Sequence, residues 1–251
     1  MAVYNIYYSP TGGTKKVADI LANAMSDNVQ NIDLFKKDRF GNCFNKDDIC
    51  ILSVPAFGGR VPVDNIEKII TFSANGAVAI LVAVFGNRAI DDTLIELYDT
   101  ASSVGFNVVS CIEAVAEHSL VRKFGSGRPN ADDESELEVF VKKICDKIND
   151  GNYSVPEIPG NRPYKEFKPS AMSLVVDDSC SNCKKCAREC PVDAIPKENV
   201  KTVDSDKCFS CMHCVRVCLK SARRYSPTVI NALEERLKER CSGVKPNKLY
   251  I

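Results

Sequence analysis

Eight of the thirteen cysteines fall in two runs of one spacing, Cys180-x2-Cys183-x2-Cys186-x3-Cys190-Pro191 and Cys208-x2-Cys211-x2-Cys214-x3-Cys218. Few features confine a chain more, because thiols set this closely must be gathered around an inorganic centre before the surrounding segments can pack. A cubane presents four iron corners, and three thiolates two residues apart can wrap three of them from one tight loop. The fourth must come from elsewhere, and in the bacterial two-cluster arrangement the last cysteine of each run ligates the other cluster. The spacing therefore predicts two [4Fe-4S] sites, one held by Cys180, Cys183, Cys186 and Cys218, the other by Cys208, Cys211, Cys214 and Cys190. The runs are offset by 28 residues, from Cys180 to Cys208, as the halves of a pseudo-symmetric pair would be.

Zinc is the plainest rival, but structural zinc sites close with four ligands drawn from two separated pairs. Four cysteines within eleven residues, repeated, fit that pattern poorly. Disulfides are disfavoured because the N-terminus carries no charged leader and its apolar start breaks at Ser9-Pro10-Thr11-Gly12-Gly13, so a cytoplasmic location is expected. Haem attachment is excluded, since Ala187 follows Cys186 and Val215 follows Cys214 where a histidine would be needed. Cys43, Cys50, Cys111, Cys145 and Cys241 show no ligand spacing and read as small apolar residues or idle thiols.

With 251 residues and 45% hydrophobic content the chain can bury a full core and carry a small extra module. Its longest apolar stretch, Ala77 to Phe85, is too short for a bilayer and reads as a strand buried on both faces, so no membrane insertion is expected. The formal charge of zero conceals an asymmetry: residues 1–150 hold 15 basic and 21 acidic side chains, and residues 151–251 hold 18 and 12. Opposite charges favour docking of the two halves on each other. Lys184, Lys185, Arg188, Arg216, Lys220, Arg223 and Arg224 form a basic patch around the cysteine runs. Aromatic residues are sparse there, so an acidic protein surface is the expected partner rather than nucleic acid.

The first 150 residues alternate strand and helix signals. Strands are predicted at Ala2–Tyr8, Val29–Phe35, Ile49–Val54, Ala77–Phe85 and Phe106–Val115, and helices at Lys15–Met25, Asp64–Phe72, Asp91–Val104 and Asp132–Asn149. That alternation implies a parallel sheet covered on both faces, with ligands bound at the carboxyl ends of its strands. Residues 151–170 hold four prolines and two glycines without periodicity, an extended linker. The cysteine module occupies 171–227, and 228–251 form a tail whose amphipathic helix, Thr228–Cys241, should pack back on the core.

Between the first strand and the first helix, Tyr8-Ser9-Pro10-Thr11-Gly12-Gly13-Thr14 sets hydroxyls and backbone N–H groups at the positive end of a helix dipole. This is a phosphate cradle without the Gly-Lys-Ser/Thr ending of a P-loop or the Gly-x-Gly-x-x-Gly of a dinucleotide site. Ser9-x-Thr11-Gly12-x-Thr14 resembles the phosphate loop of flavodoxins, whose ligand is FMN. Pro55-Ala56-Phe57-Gly58-Gly59-Arg60-Val61-Pro62 and Phe85-Gly86-Asn87-Arg88 stand where flavodoxins sandwich the flavin ring. Taken with the cysteine runs, His118-Ser119 and Gly127-Arg128-Pro129, residues 1–225 resemble the flavodoxin-ferredoxin fusions called ferrodoxins.

The resemblance implies a flavodoxin-like five-stranded parallel sheet in the order 2-1-3-4-5, with helices on both faces, joined to a small α+β bacterial ferredoxin-like domain. It implies FMN bound by Ser9, Pro10, Thr11, Gly12, Gly13, Thr14, Pro55, Ala56, Phe57, Gly58, Gly59, Phe85, Gly86, Asn87 and Arg88. Phe57 is placed to stack on the ring, although it lacks the hydroxyl of the tyrosine common there, and Gly13 replaces a common asparagine. Gly58 and Gly59 can adopt positive φ, so the peptide after Phe57 could offer its carbonyl to the reduced ring; the alternative is a plain turn. His118 and Arg128 are either flavin-side groups or structural caps, and His213 is expected to tune the second cluster without ligating it. Leu219 replaces the Pro191 of the first run.

No catalytic triad or paired carboxylates are apparent, so the expected activity is single-electron transfer between FMN and two clusters, serving donor and acceptor redox proteins. Reduction of a small molecule or metal chelate by the flavin is the enzymatic rival, and a redox sensor binding nucleic acid is the third reading.

Overall fold

The computed structural model describes residues 1–37, 40–167 and 174–251. Five parallel strands, β1 (Val3–Tyr7), β2 (Val29–Asp33), β3 (Ile49–Pro55), β4 (Val78–Phe85) and β5 (Asn107–Val115), lie in the order β2-β1-β3-β4-β5. That is the doubly wound order of flavodoxin-like sheets, with its switch point between β1 and β3. Every residue of β3 and β4 is buried, as expected for central parallel strands sandwiched by helices. The two-residue pleat divides their side chains: Leu52, Val54, Leu81 and Ala83 enter one core, and Ile49, Ile51, Ile80 and Val82 enter the other. Helices α1 (Gly13–Met25) and, later in the chain, α4 (Ala131–Asn149) cover the second core through Val17, Leu21, Leu137 and Ile144. The first core is covered by α2 (Val63–Ile69) and α3 (Thr93–Ser103), through Ile69, Leu94 and Leu97. Asn130 caps α4, accepting from Asp132 and Asp133 N–H while the Asp133 carboxylate accepts from Asn130 N–H.

The segment after α4 lies against α3. Asp92 accepts from Asn161 and Lys165 N–H at 2.9 and 2.7 Å, Arg162 and Tyr164 converge on Asp99, and Arg60 donates to the Lys165 carbonyl at 2.6 Å. The expected start of the cysteine module, at residue 171, lies outside the described residues. Within the module, β6 (Leu174–Val176) pairs antiparallel with β7 (Arg223–Tyr225), enclosing two one-turn helices, α5 (Lys185–Arg188) and α6 (His213–Arg216). The 28-residue repeat is visible in the backbone: positive φ recurs at Asn182, Lys184 and Asp193 and again at Ser210, Met212 and Ser221.

The last helix, α7 (Pro227–Leu237), begins one residue before the predicted start and stops four residues short of Cys241, with Ser226 accepting from Val229 N–H as its cap. Beyond it the chain returns to the sheet as β8 (Lys248–Tyr250), a sixth strand antiparallel to β5. No alternation marks this strand beforehand, because three residues are too few to show one. Among the described residues no helix is long and apolar enough to cross a membrane.

Candidate cofactor site

The carboxyl ends of β1, β3, β4 and β5 enclose a cavity of about 460 Å³. Of the expected flavin residues, Pro10, Thr11, Gly13, Thr14, Pro55, Ala56, Phe57, Phe85 and Gly86 line it. Gly12 lines an adjoining cavity of about 1250 Å³, which shares Thr11, Gly13 and His118 as walls and reaches Met212, Arg216 and Cys218. Gly12 takes φ 97° as the N-cap of α1, and no side chain caps that end. Ser9 Oγ accepts from Lys15 N–H at 2.9 Å, whereas the Gly13 and Thr14 N–H groups meet no acceptor among the described residues. A helix end left open in this way offers donors to an anion.

Ser9, Gly58, Gly59, Asn87 and Arg88 do not line these cavities. Gly58 and Gly59, at φ 60° and 87°, form the centre of a tight turn in which Phe57 and Arg60 exchange backbone hydrogen bonds at 3.0 and 3.1 Å. Two consecutive positive φ values are the signature of a type I′ turn. The Phe57 carbonyl accepts from Arg60 here, and the two glycines form the turn that carries the Phe57 ring. A Cβ on Gly59 would stand 2.2 Å from the Asp91 carboxylate, so that position admits only glycine. Asn87 faces the tail, donating to the Cys241 and Gly243 carbonyls at 2.7 and 2.9 Å. Arg88 pairs with Asp91 at 2.5 Å.

The loop after β5 supplies Ala116, Glu117, His118 and Ser119 to the cavity wall. His118 Nδ1 accepts from the Leu120 and Val121 N–H groups at 3.2 and 3.1 Å, which places the ring proton on Nε2. Burial, reinforced by the Arg88 charge, lowers its pKa to about 4. A neutral donor therefore stands at the wall shared by the two cavities. His118 also explains Gly86, where a Cβ would lie 2.7 Å from the His118 Cα. Arg128 is a structural residue: its guanidinium grips Asp133 at the start of α4 and the Lys245 carbonyl of the tail.

The cysteines sort into two cavities. Cys180, Cys183, Cys186 and Cys218 line one of about 570 Å³, and Cys190, Cys208, Cys211 and Cys214 line one of about 430 Å³. The last cysteine of each run thus stands with the first three of the other. Apolar walls surround them, with Val176 and Val200 at the first and Ile195, Val203 and Tyr225 at the second. Ala194 N–H donates to Cys190 Sγ at 3.3 Å. Six non-glycine residues at positive φ in these loops cost about 1–2 kcal/mol each in a free chain, so the loops need something to hold them. Among the described residues no three or more His, Cys, Asp or Glu side chains converge on a point fit for one metal ion. The donor set, its apolar shell and the N–H bond to sulfur fit a group broader than one ion, such as a cubane.

Two residues inside the second run join this region to the loop between β1 and α1 and its neighbours. Phe209 packs on Phe57 with ring centroids 6.0 Å apart, at the border between the cavity at the strand ends and the second cysteine cavity. His213 stands 2.9 Å from the Pro10 carbonyl through Nδ1 and 3.0 Å from Glu189 through Nε2, and its ring lies 4.3 Å from that of Phe35. Sequence reasoning placed His213 only beside a cluster and passed over Phe209. An aromatic side chain between two closely spaced cysteines was the available signal.

The NosR family model matches residues 178–235, the span of both cysteine runs and part of α7. Among solved structures, the chain is similar to a Streptococcus pneumoniae flavodoxin, with 21% identity, 59% of this chain and 99% of that one covered, and a TM-score of 0.42. It is similar to a Fusobacterium nucleatum flavodoxin bound to flavin mononucleotide, with 17% identity, 59% and 99% coverage and a TM-score of 0.40. The rubredoxin oxygen:oxidoreductase of Desulfovibrio gigas shares 14% identity over 59% of this chain and 36% of that one, with a TM-score of 0.42. No curated protein matches the sequence.

Proposed function

We propose that the chain is an electron-transfer protein whose cofactors are FMN and two [4Fe-4S] clusters. FMN accepts one or two electrons and a cubane one, so together they convert pair transfers into single ones. The open N–H groups of Gly13 and Thr14 receive the phosphate, Phe57 covers the ring, and His118 offers it a neutral donor. Cys180, Cys183, Cys186 and Cys218 hold one cluster, and Cys208, Cys211, Cys214 and Cys190 hold the other. The observation that carries the reading is the Phe57–Phe209 contact, which sets the flavin-loop cavity against the second cysteine cavity. The second cluster is thereby the one nearer the flavin.

The first cluster faces outward. Cys183, Lys184 and Lys220 are exposed beside it, Leu219 is 82% exposed, and neither lysine is ion-paired among the described residues. This surface suits an acidic redox protein, and the proposed setting is the cytoplasm. Anaerobic titration of the purified protein with optical and spin-resonance detection tests the assignment. A bleaching flavin and two one-electron centres are expected, and fewer than two clusters or a colourless chain would refute it.

The open cleft that runs from Thr11 and His118 to Arg216 and Cys218 favours a second reading, in which the flavin reduces a small molecule or metal chelate. Lys16 and Arg216 border it without ion-pair partners among the described residues, so the substrate would be anionic. Steady turnover of such a compound by holoprotein fed only with reduced ferredoxin is its test.

A further inference from the structure

We infer that Arg223 is a buried counter-charge shared by the two cysteine sites, and that it sets how readily the clusters held there accept an electron. The inference rests on the iron-sulfur reading proposed above.

Arg223 opens β7, opposite Val176 of β6, and is 2% exposed. Its Nη2 donates to the Val200 carbonyl, while Nη1 is buried and meets no acceptor. Among the described residues no carboxylate pairs with it. A guanidinium does not shed its proton in a protein, so it cannot escape burial by becoming neutral. An isolated buried ion costs several kcal/mol, and such ions are found paired or beside a metal centre. Burial of this kind calls for a negative group beside the side chain.

The surroundings say what. Arg223 lines the cavity of Cys180, Cys183, Cys186 and Cys218. Val200, whose carbonyl it holds, packs in one cluster with Cys190, Cys208 and Cys214 of the other site. Its neighbour Arg224 behaves in the opposite way, as strand alternation requires: it is exposed and pairs with Asp177. Of two adjacent arginines, one turns outward to a carboxylate and the other inward to the cysteine sites. A cubane with four thiolates is an anion of about two charges when oxidised, and one more when reduced. Reduction adds one electron to the cluster, with no bond made or broken, and the added negative charge falls beside a fixed positive one. The reduced form gains more from Arg223 than the oxidised form does, so the side chain raises the potential of both clusters.

The test is a spin-resonance titration of holoprotein with dithionite as electron donor, after iron and sulfide analysis. It compares wild type with Arg223→Met, Arg223→Gln, Arg223→Lys and Arg224→Gln. At the potential where half of each wild-type cluster is reduced, the neutral Arg223 variants should show a reduced-to-oxidised ratio at least tenfold lower, a shift of about 59 mV for one electron. Arg223→Lys should stay within threefold of wild type and Arg224→Gln within twofold. Arg223→Met or Arg223→Gln with full iron and ratios within twofold of wild type would overturn the inference. Should neither neutral variant assemble clusters, assembly by Arg223→Lys supports a requirement for charge, and its failure shows that shape alone matters and overturns the inference. Wild-type protein without iron would overturn the cluster reading itself, a result separable from any outcome among variants that carry iron.

Discussion

Replacing Asn87 with alanine separates two roles for the Gly86-Asn87-Arg88 loop, one at a flavin and one as a latch for the tail. The side chain is 4% exposed, donates to the Cys241 and Gly243 carbonyls at 2.7 and 2.9 Å, and accepts from Lys245 N–H at 3.3 Å. The bond to Cys241 is buried, so its loss strands a carbonyl at a cost of about 1–3 kcal/mol. The Gly243 bond is partly wet and contributes about 0.5–1.5 kcal/mol, and the long Lys245 bond adds little. The tail should lose about 3 kcal/mol of local stability, which at about 1.4 kcal/mol per decade is about 100-fold in its opening equilibrium. Hydrogen exchange of the peptide spanning residues 241–251 reads that opening directly. Exchange at Lys248–Tyr250 should accelerate about 100-fold by this arithmetic, while FMN affinity stays within about threefold of wild type. Unchanged protection of the tail, together with a tenfold loss of FMN, would refute the latch and return Asn87 to the flavin.

His118, with a folded pKa of about 4 against an ordinary 6.5, is neutral in both states above pH 6.5. As pH falls below that, the unfolded chain takes the proton first, so stability drops by up to about 1.4 kcal/mol per unit until pH approaches 4. Urea midpoints at pH 7 and 5.5 should therefore converge in His118→Gln, and an unaltered pH slope would show that the ring is not held neutral. In Gly86→Ala the added methyl would stand 2.7 Å from the His118 Cα. FMN affinity should consequently fall at least about tenfold by misplacement of the wall, as measured by flavin fluorescence quenching. Cys190→Ser should alter the spin-resonance signal of the cluster held by Cys208, Cys211 and Cys214, and Cys218→Ser that of the other. Exchanged effects would refute the crossed arrangement.

The parts of the molecule legible in the sequence are those whose physics is local. Ligand spacing sorted eight thiols into the two cavities where they stand, because three cysteines in one loop have no other way to surround one centre. The wholly apolar Ala77–Phe85 marked a central strand, since only a sheet covered on both faces tolerates it. The residues hardest to place from sequence are polar ones whose partners lie far along the chain. Asn87 and Arg128 sit in loops at the right end of the sheet, yet both are committed to residues more than 110 positions away, in the tail. A local reading cannot distinguish a side chain that meets a ligand from one that meets such a segment.

That tail also decides what keeps the halves together. Their opposite net charges point to long-range attraction, but in the described ion pairs between them, Lys37–Asp193, Arg162–Asp99, Lys165–Asp91, Lys123–Glu234 and Lys248–Glu113, the basic side chain is at least 39% exposed, and such pairs contribute about 0–1 kcal/mol each. Against this stands a continuous set of short-range contacts. His213 meets Pro10 and Phe35, Phe209 meets Phe57, and beyond α7 the chain is tied by Asn87, Arg128 and β8. Asn247, 4% exposed, accepts from Val115 N–H at 2.9 Å and donates to Asp133 at 2.9 Å, joining β5 to the capped start of α4. Contacts of this kind are only weakly screened by salt. The chain thus leaves the sheet after β5 and α4, passes through the cysteine module and closes on β5 again. The module is a loop fastened at both ends, and a loop so fastened keeps Phe209 against Phe57 without relying on the charge of either half.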